Sequence, residues 1–443
     1  QLLIVASDSA ATNQIKYWVW DRLSNTWVVN GTTYTFDSGT IIDDYINWVE
    51  LASRPDSNQI ALMVIDADAD AAALIWDGDT NSWGNAKKLN STALPTATQE
   101  PIAVEYMQWG TNSGEAVFVW AETNDIYSWT WTGSAWEGSA KSKADAAGAN
   151  IKWMKIAADP NSDDLLLAFE DTANDIFTLD WDGSAWGTAR TITTSAYGNQ
   201  APFNVIFESG ARAGSAMIVY QDTSYAEYRT TSDISGAWGD ETRQNSFYDF
   251  FWIDLARGPD NSILLAGQDV SQTSSPYYDY LMGYKWDGSA WTLQTCNSSN
   301  YIETRLAADS TRTYKPFALT AFGYPADNLN LAEHAAGQEA DKFGLGDSAP
   351  DEELFAFQLS NPTDITKTVT EIVFTLSSVT GIDQGDFSSL SIYVDDDNDG
   401  TIETGEVTTV GGSGVVDGSE TTITFSTDFD ILPNTTVDYI LKG

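Results

Sequence analysis

The chain has 443 residues, a hydrophobic share of 42% and a formal charge of −43, with 64 Asp and Glu against 21 Lys and Arg. The length predicts two or three domains, and the negative charge excludes nucleic acid and anionic lipid as favoured partners because both would be repelled. The aromatic share of 12%, with 18 tryptophans, argues against disorder. The sequence contains no apolar run long enough for a membrane span.

A marker of the form Trp-Asp-Gly-x-x-Trp recurs along residues 1–338, which are predicted to form the first domain. It reads WDRLSNTW at 20–27, WDGDTNSW at 76–83, WTGSAW at 131–136 and WDGSAW at 181–186 and 286–291, with a degenerate copy, ISGAW, ending at Trp238. Asp-Gly favours a tight turn, so each marker is predicted to join two strands of a four-stranded unit. Units that begin near 46, 101, 151, 201, 250 and 301, with an incomplete unit at 1–36, predict a β-propeller of about seven blades. A solenoid is the alternative.

Both terminal units are predicted to be incomplete. The first has strands at 2–8, 15–21 and 26–36, and the last has strands in ETRLAADS, KPFALTAF and NLNLAEH. A propeller ring closes when its terminal units share strands, but a strand borrowed from another copy of the chain would give the same pattern.

The paired tryptophans of each marker have two interpretations. They bracket a turn and can pair across the strands, which stabilises a hairpin by roughly 0.2–1 kcal/mol. They can also serve as a ring of sugar-stacking platforms. The structural interpretation is favoured.

Residues 339–350 are rich in Ala, Gly and Asp and are predicted to be a linker. Short alternating strands within 351–443 predict an immunoglobulin-like β-sandwich. These strands are ELFAFQLS, VTEIVFTLSS, LSIYVDD, EVTTVGG, TTITFSTDF and TVDYILKG. Such a sandwich usually has one more strand, which either a continuation of the chain or a neighbouring chain would supply.

Residues 395–406 match the twelve-residue calcium loop at every position that the motif specifies. The predicted ligands are Asp395, Asp397 and Asp399 at loop positions 1, 3 and 5, the carbonyl of Thr401 at position 7, and a bidentate Glu406 at position 12. Gly400 stands at position 6, where the chain must bend sharply. Calcium is therefore the predicted cofactor, in a structural role because strands flank the loop. An acidic hairpin tip without metal is the alternative.

The other acidic clusters are interpreted as turns. Asp66, Asp68 and Asp70 alternate in DADADAA, where a solvated turn is favoured over a cradle for a cation. Asp159, Asn161, Asp163 and Asp164 lie in another predicted turn.

The chain is predicted not to be an enzyme. Its one histidine, His334, and its one cysteine, Cys296, stand in no recognisable nucleophile motif. A glycoside hydrolase needs only two carboxylates, so that activity and a sialidase activity remain alternatives. The turns differ from the Asp-box of sialidases, and no arginine triad is evident.

The Trp-Asp-Gly units resemble the repeats of bacterial surface and lectin-type propellers. The segments FQLSNPTDITKTVTEIVFTLSSVTGI, IYVDDDNDGTIETGE and TTITFSTDFDILPNTTVDYILKG are similar to immunoglobulin-like calcium-loop modules of very large secreted bacterial proteins. These resemblances imply an extracellular or cell-surface protein with a structural or adhesive role, such as the subunit of a filament or coat that binds other copies of itself. A carbohydrate-binding propeller lectin, with glycans as partners, is the alternative.

Overall fold

The computed structural model describes residues 2–7, 12–21, 26–37, 41–55, 57–90, 94, 96, 98–197, 200–209, 212–222, 226–243, 250–258, 261–270, 278–294, 302–307, 319, 329–337, 352–361, 366–376, 384–403, 405–417, 422–432 and 435–443. Strands and turns dominate these residues, beside a short 3-10 helix, Gln384–Asp386. The predicted all-β class is confirmed. Among the described residues, no helix has the length and apolar character needed to cross a membrane. The chain divides into two units, Gln1–Ala321 and Phe322–Gly443.

The first unit contains six antiparallel sheets in chain order within its described residues. The first sheet is β1 (Leu2–Ser7), β2 (Gln14–Asp21) and β3 (Thr26–Thr35); the second is β4 (Ile46–Ser53), β5 (Gln59–Asp66), β6 (Ala71–Asp77) and β7 (Ser82–Lys88); the third is β8 (Ile102–Tyr106), β9 (Ala116–Glu122), β10 (Asp125–Trp131) and β11 (Lys141–Lys143). The fourth is β12 (Ile151–Ala158), β13 (Leu165–Asp171), β14 (Ile176–Trp181) and β15 (Arg190–Thr193); the fifth is β16 (Phe203–Phe207), β17 (Ala216–Gln221), β18 (Ala226–Thr231) and β19 (Thr242–Arg243); the sixth is β20 (Phe250–Arg257), β21 (Ile263–Val270), β22 (Tyr278–Trp286), β23 (Trp291–Gln294) and β24 (Glu303–Ala307).

The sheets follow one another as the blades of a β-propeller. The first strands of the second to sixth sheets lie against one another in succession, from β4 to β8, β12, β16 and β20, which is the packing of inner strands around a propeller axis. Strands such as β13 are buried along their whole length because sheets cover both of their faces. For this reason they consist of apolar runs and do not alternate between apolar and polar residues.

The predicted unit boundaries agree closely with five of these sheets, whose first strands begin at 46, 102, 151, 203 and 250. The incomplete repeat at 1–36 also has the three strands that its sequence predicts. The unit predicted near 301–338 does not form a sheet of its own within the described residues. Strand β24 pairs with β22 of the sixth sheet, and most of KPFALTAF lies outside the described residues. The predicted count of about seven blades is therefore not confirmed.

Tryptophans on three alternate inner strands meet edge to face. The ring of Trp153 on β12 lies 5.5 Å from that of Trp48 on β4 and 5.3 Å from that of Trp252 on β20, with interplanar angles of 88° and 86°. A register shift precedes each of the three tryptophans. Such bulges re-aim the side chain that follows them, so in alternate sheets they turn a large ring toward its counterparts.

In three copies the second tryptophan of the marker ties its sheet to the preceding one through the indole N–H. The bonds run from Trp136 Nε1 to Asn85 O (3.0 Å), from Trp186 Nε1 to Ser128 Oγ (2.9 Å) and from Trp238 Nε1 to Thr178 Oγ1 (2.9 Å). In two copies the first tryptophan, which is buried, makes the same kind of bond to the preceding sheet. These bonds run from Trp131 Nε1 to Gln59 Oε1 (3.4 Å) and from Trp286 Nε1 to Glu208 Oε1 (2.6 Å). These side chains join neighbouring sheets and are not displayed as sugar platforms.

Replacing Trp186 with phenylalanine is expected to lower the free energy of unfolding by about 1 kcal/mol or more, because Ser128 loses its inter-sheet hydrogen bond. Trp27→Phe is the matched control, since Trp27 is 43% exposed. Urea unfolding followed by fluorescence measures both variants. Equal midpoints for the two would show that the inter-sheet bond contributes nothing.

Apart from the 3-10 helix Gln384–Asp386, the regular secondary structure in the described residues of the second unit consists of β-strands. Its strands are β25 (Asn330–Glu333), β26 (Glu353–Asn361), β27 (Lys367–Val369), β28 (Ile372–Thr375), β29 (Ser391–Asp395), β30 (Thr409–Ser413), β31 (Val415–Val416), β32 (Thr422–Phe425), β33 (Phe429–Ile431) and β34 (Thr435–Lys442). A five-stranded sheet has the order β25-β26-β34-β29-β30, and two smaller sheets have the orders β27-β33 and β28-β32-β31. One hydrophobic core, which includes Phe357, Ile392, Phe425 and Tyr439, contains side chains from all three sheets. The immunoglobulin-like topology stays a prediction.

The domain boundary differs from the predicted one. The sequence places residues 1–338 in the first domain, but β25 pairs with β26 of the second unit, and the units divide between Ala321 and Phe322. Strand β25 thus gives the second unit an edge strand that the sequence assigned to the propeller. The predicted linker, 339–350, lies outside the described residues.

Candidate functional site

The predicted calcium loop begins where β29 ends, at Asp395. This side chain is 2% exposed, and its two carboxylate oxygens accept hydrogen bonds from Asn398 N at 2.8 Å and Gly400 N at 2.9 Å. Gly400 has a φ of +90°, which a residue with a Cβ adopts at a cost. The first residue of the motif therefore folds the loop back around its own carboxylate.

The loop brings the predicted carboxylates together in two overlapping groups. Asp395, Asp397 and Asp399 form one group, and Asp397, Glu403 and Glu406 form the other; within each, one oxygen per residue lies within 4.8 Å of the others. Asp397 belongs to both groups. Glu403 was not predicted, although it stands at loop position 9, where the motif often has a ligand.

The remaining loop contacts hold these groups in place. Glu406 accepts hydrogen bonds from Asp396 N at 2.6 Å and from Glu403 N at 3.2 Å. The Thr401 hydroxyl donates to Asp399 Oδ1 at 2.8 Å; its carbonyl stays a predicted ligand. Desolvation and the nearby carboxylates of Asp399 and Glu406 raise the pKa of Asp397 above its usual value. A compact set of oxygen donors with excess negative charge fits a hard divalent cation such as calcium.

The turn around Asp66 differs in detail from its interpretation as a solvated turn. Asp66 is fully buried, and its Oδ1 accepts from Asp68 N at 3.1 Å and Asp70 N at 2.9 Å. Asp171 makes the same pair of bonds two sheets later, so this is a repeated structural turn. The acidic side chains that come together here are Asp43, Asp66 and Asp70, whereas Asp68 is exposed.

A cavity of about 380 Å³ opens between the fourth and fifth sheets. Its position follows from the degenerate copy of the marker. Thr231 pairs with Ala216 on the neighbouring strand, as Trp131 pairs with Ala116 in the third sheet. Thr231 is therefore a small residue at the place of the first tryptophan, and the residues that follow it, 232–235, line the cavity.

The turn that faces this cavity also lacks a side chain that reaches across. Between the second and third sheets, Arg54 Nη1 approaches Gly133 O at 3.5 Å. Asp159 is the equivalent of Arg54 in the turn of the fourth sheet, because the backbone N–H of each residue donates the hydrogen bond that closes its turn. The Asp159 carboxylate bonds within its own turn, to Asn161 N at 2.9 Å and Ser162 Oγ at 3.1 Å. The cavity thus results from two departures from the repeat.

Hydrogen-bond acceptors and hydroxyls dominate the cavity wall. The polar lining side chains are Asp159, Ser162, Asp164, Asp180, Asp182, Ser232, Asp233 and Ser235. Burial raises the pKa of Asp164 above its usual value, and the carboxylates of Asp159 and Asp182 add to that shift. Arg190 is paired with Asp180 at 2.6 Å and also donates to Ser235 O. The wall can accept several hydrogen bonds from a polyhydroxylated ligand.

An ion cluster links inner strands near the propeller axis. Lys155 Nζ lies 2.8 Å from Glu50 Oε1 and 2.9 Å from Glu100 Oε2. Burial raises the pKa of Glu100, and Glu50 adds to that shift while Lys155 opposes it. Two carboxylates thus share one ammonium, an arrangement that joins strands of three sheets.

That the chain is not an enzyme stays a prediction.

Comparisons with known proteins give structural neighbours only. No family model matches the chain, and no curated protein matches it. The six-bladed fucose-recognising lectin of Aleuria aurantia is 14% identical, covers 66% of this chain and 94% of its own, and has a TM-score of 0.35. The lectin BP39L of Burkholderia pseudomallei is 12% identical over 66% of this chain and 82% of its own, with a TM-score of 0.45. At these values nothing about function is carried over from them.

Proposed function

We propose that the chain is an extracellular adhesive protein whose propeller binds carbohydrate and whose second unit is stabilised by calcium. The cavity between the fourth and fifth sheets carries the carbohydrate proposal. Its volume of about 380 Å³ is within the range of small-molecule sites. Its wall of carboxylates and serine hydroxyls suits a ligand that donates many hydrogen bonds, and a sugar does so.

The buried marker tryptophans support a site in this cavity over a ring of aromatic platforms. Trp131, Trp181 and Trp286 are at most 6% exposed, so their faces are not open to a sugar. A site at the degenerate copy of the marker predicts binding there and not at each marker.

Calorimetric titration with a panel of neutral monosaccharides, L-fucose included, tests the proposal. Saturable binding to at least one sugar is expected. Asp164→Asn is expected to weaken it about tenfold or more, since a hydrogen bond to a charged group contributes about 1.5–3 kcal/mol. Asp240→Asn, an exposed change in the fifth sheet outside the lining, is the matched control. Absence of binding at millimolar concentrations, or equal affinities in both variants, would overturn the proposal.

Self-association is a second candidate function, supported by the edge of the first sheet. Leu2 and Ile4 on β1 are 56% and 42% exposed, and within the described residues β1 pairs on one side only, with β2. An apolar strand edge favours pairing with another chain. Light scattering and electron microscopy should then show ordered oligomers that a Leu2→Lys variant does not form, and monomers at all concentrations would refute this candidate.

A further inference from the structure

His334 is a buried neighbour of the predicted calcium loop. It directly follows β25 and is 3% exposed. Its Nδ1 accepts a hydrogen bond from Ala336 N at 3.0 Å, so in the neutral ring Nε2 carries the proton. Nε2 lies 2.8 Å from Asp395 Oδ2 and 3.8 Å from Asp438 Oδ1. The N–H does not point squarely at either oxygen, so this donor is buried between two carboxylates.

The turn that His334 begins touches the loop at further points. Ala335 N donates to Asp438 Oδ1 at 3.0 Å, and Asp438 is the register partner of Asp395. A Cβ added to Gly400 would lie 2.9 Å from the Cβ of Ala336, which is closer than such atoms approach. The turn 334–336 therefore covers the first and sixth positions of the loop.

We infer that His334 is a positioning residue for the calcium loop, and that calcium binding and docking of the turn 334–336 stabilise each other. The inference rests on the proposed calcium site. Groups that contact a metal ligand from outside orient it, and their loss typically weakens metal binding by about 10–100-fold. Because linkage is reciprocal, bound calcium stabilises the docked turn by the same factor by which the docked turn favours calcium.

Two substitutions of His334 separate its hydrogen bond with Ala336 from its contact with Asp395. His334→Asn keeps an acceptor for Ala336 N but is too short to reach Asp395, whereas the amide nitrogen of His334→Gln takes the place of Nε2. Calcium titration of the full chain by calorimetry is expected to give a Kd about 10–100-fold higher for His334→Asn than for the original chain, with recovery in His334→Gln. Leu331→Thr, a change at a 72% exposed residue of β25, is the control and should leave the Kd unchanged.

Hydrogen exchange at Ala335 and Ala336 gives a second measurement that does not depend on a variant folding. Their amides are expected to exchange more slowly with calcium than with chelator. Calcium binding with equal Kd values in the original chain and His334→Asn, or with unchanged exchange at both amides, overturns this inference alone. Failure of the original chain to bind calcium removes the calcium site itself and the inference with it.

Discussion

Replacing Lys152 with methionine is expected to lower the free energy of unfolding of the first unit by about 3–5 kcal/mol. Lys152 and Glu170 have side chains that are 2% and 0% exposed, with Nζ 3.0 Å from Oε1. Lys152 also donates to Asn174 Oδ1 at 2.6 Å. Where Glu170 is ionised, the substitution leaves a carboxylate buried without its cation, which costs far more than the pair itself contributes. Urea unfolding followed by tryptophan fluorescence measures the first unit alone, because no tryptophan follows Trp291.

Lys88→Met is the matched control for the burial of the pair. Lys88 Nζ lies 2.5 Å from Asp70 Oδ2, but these side chains are 36% and 21% exposed, so the loss is expected to be at most about 1 kcal/mol. Adding Glu170→Leu to Lys152→Met should restore most of the stability, since no buried charge remains. Equal losses for the two lysine variants would contradict the prediction.

The pH dependence of the Lys152→Met variant supplies an independent check. Burial raises the pKa of Glu170 to about 8 from an ordinary value of 4.5, and Lys152 opposes that shift. Without Lys152 the folded-state pKa is higher still. A carboxyl group whose pKa is higher in the folded than in the unfolded state makes its full contribution to the stability of the fold below its unfolded-state pKa. That contribution is lost as the pH rises through the folded-state pKa. The deficit of the variant should therefore be smaller near pH 4.5 than well above pH 8, where Glu170 is ionised in the original chain, and a deficit independent of pH would speak against an uncompensated Glu170.

Calcium at about one hundred times its Kd is expected to raise the free energy of unfolding of the second unit by about 2.7 kcal/mol. Glu406→Gln should abolish most of this gain because it removes the predicted bidentate ligand of the loop. Scanning calorimetry with calcium and with chelator measures the effect.

Asp396→Asn is the control for general charge effects of calcium on so acidic a chain. Asp396 is exposed, stands at the second loop position, which supplies no ligand, and loses the same single charge. Its calcium-dependent gain should equal that of the original chain. If Glu406→Gln and Asp396→Asn respond alike to calcium, the loop is an acidic hairpin tip and not a metal site.

The local features of the fold follow from the sequence because they depend on neighbouring residues. The three strands of the first sheet and the starts of five further sheets are predicted within about two residues, since turn residues and apolar runs define both. The twelve-residue spacing likewise predicts that Asp395, Asp397, Asp399 and Glu406 come together, and the structure brings them into two groups that share Asp397.

The tertiary structure decided the features that depend on distant partners. The pattern of NLNLAEH specifies a strand but not its partner, and β25 joins the second unit because it pairs with β26. His334 reaches Asp395 only through that pairing, and Asp43 joins Asp66 only when two turns of the fold meet. The cavity lies between turns of two sheets, which are remote in the sequence. The sequence by itself thus determined the repeat, its hairpins and the acidic loop 395–406. Pairings between remote segments, which no local pattern encodes, determined the unit boundary and the surroundings of both candidate sites.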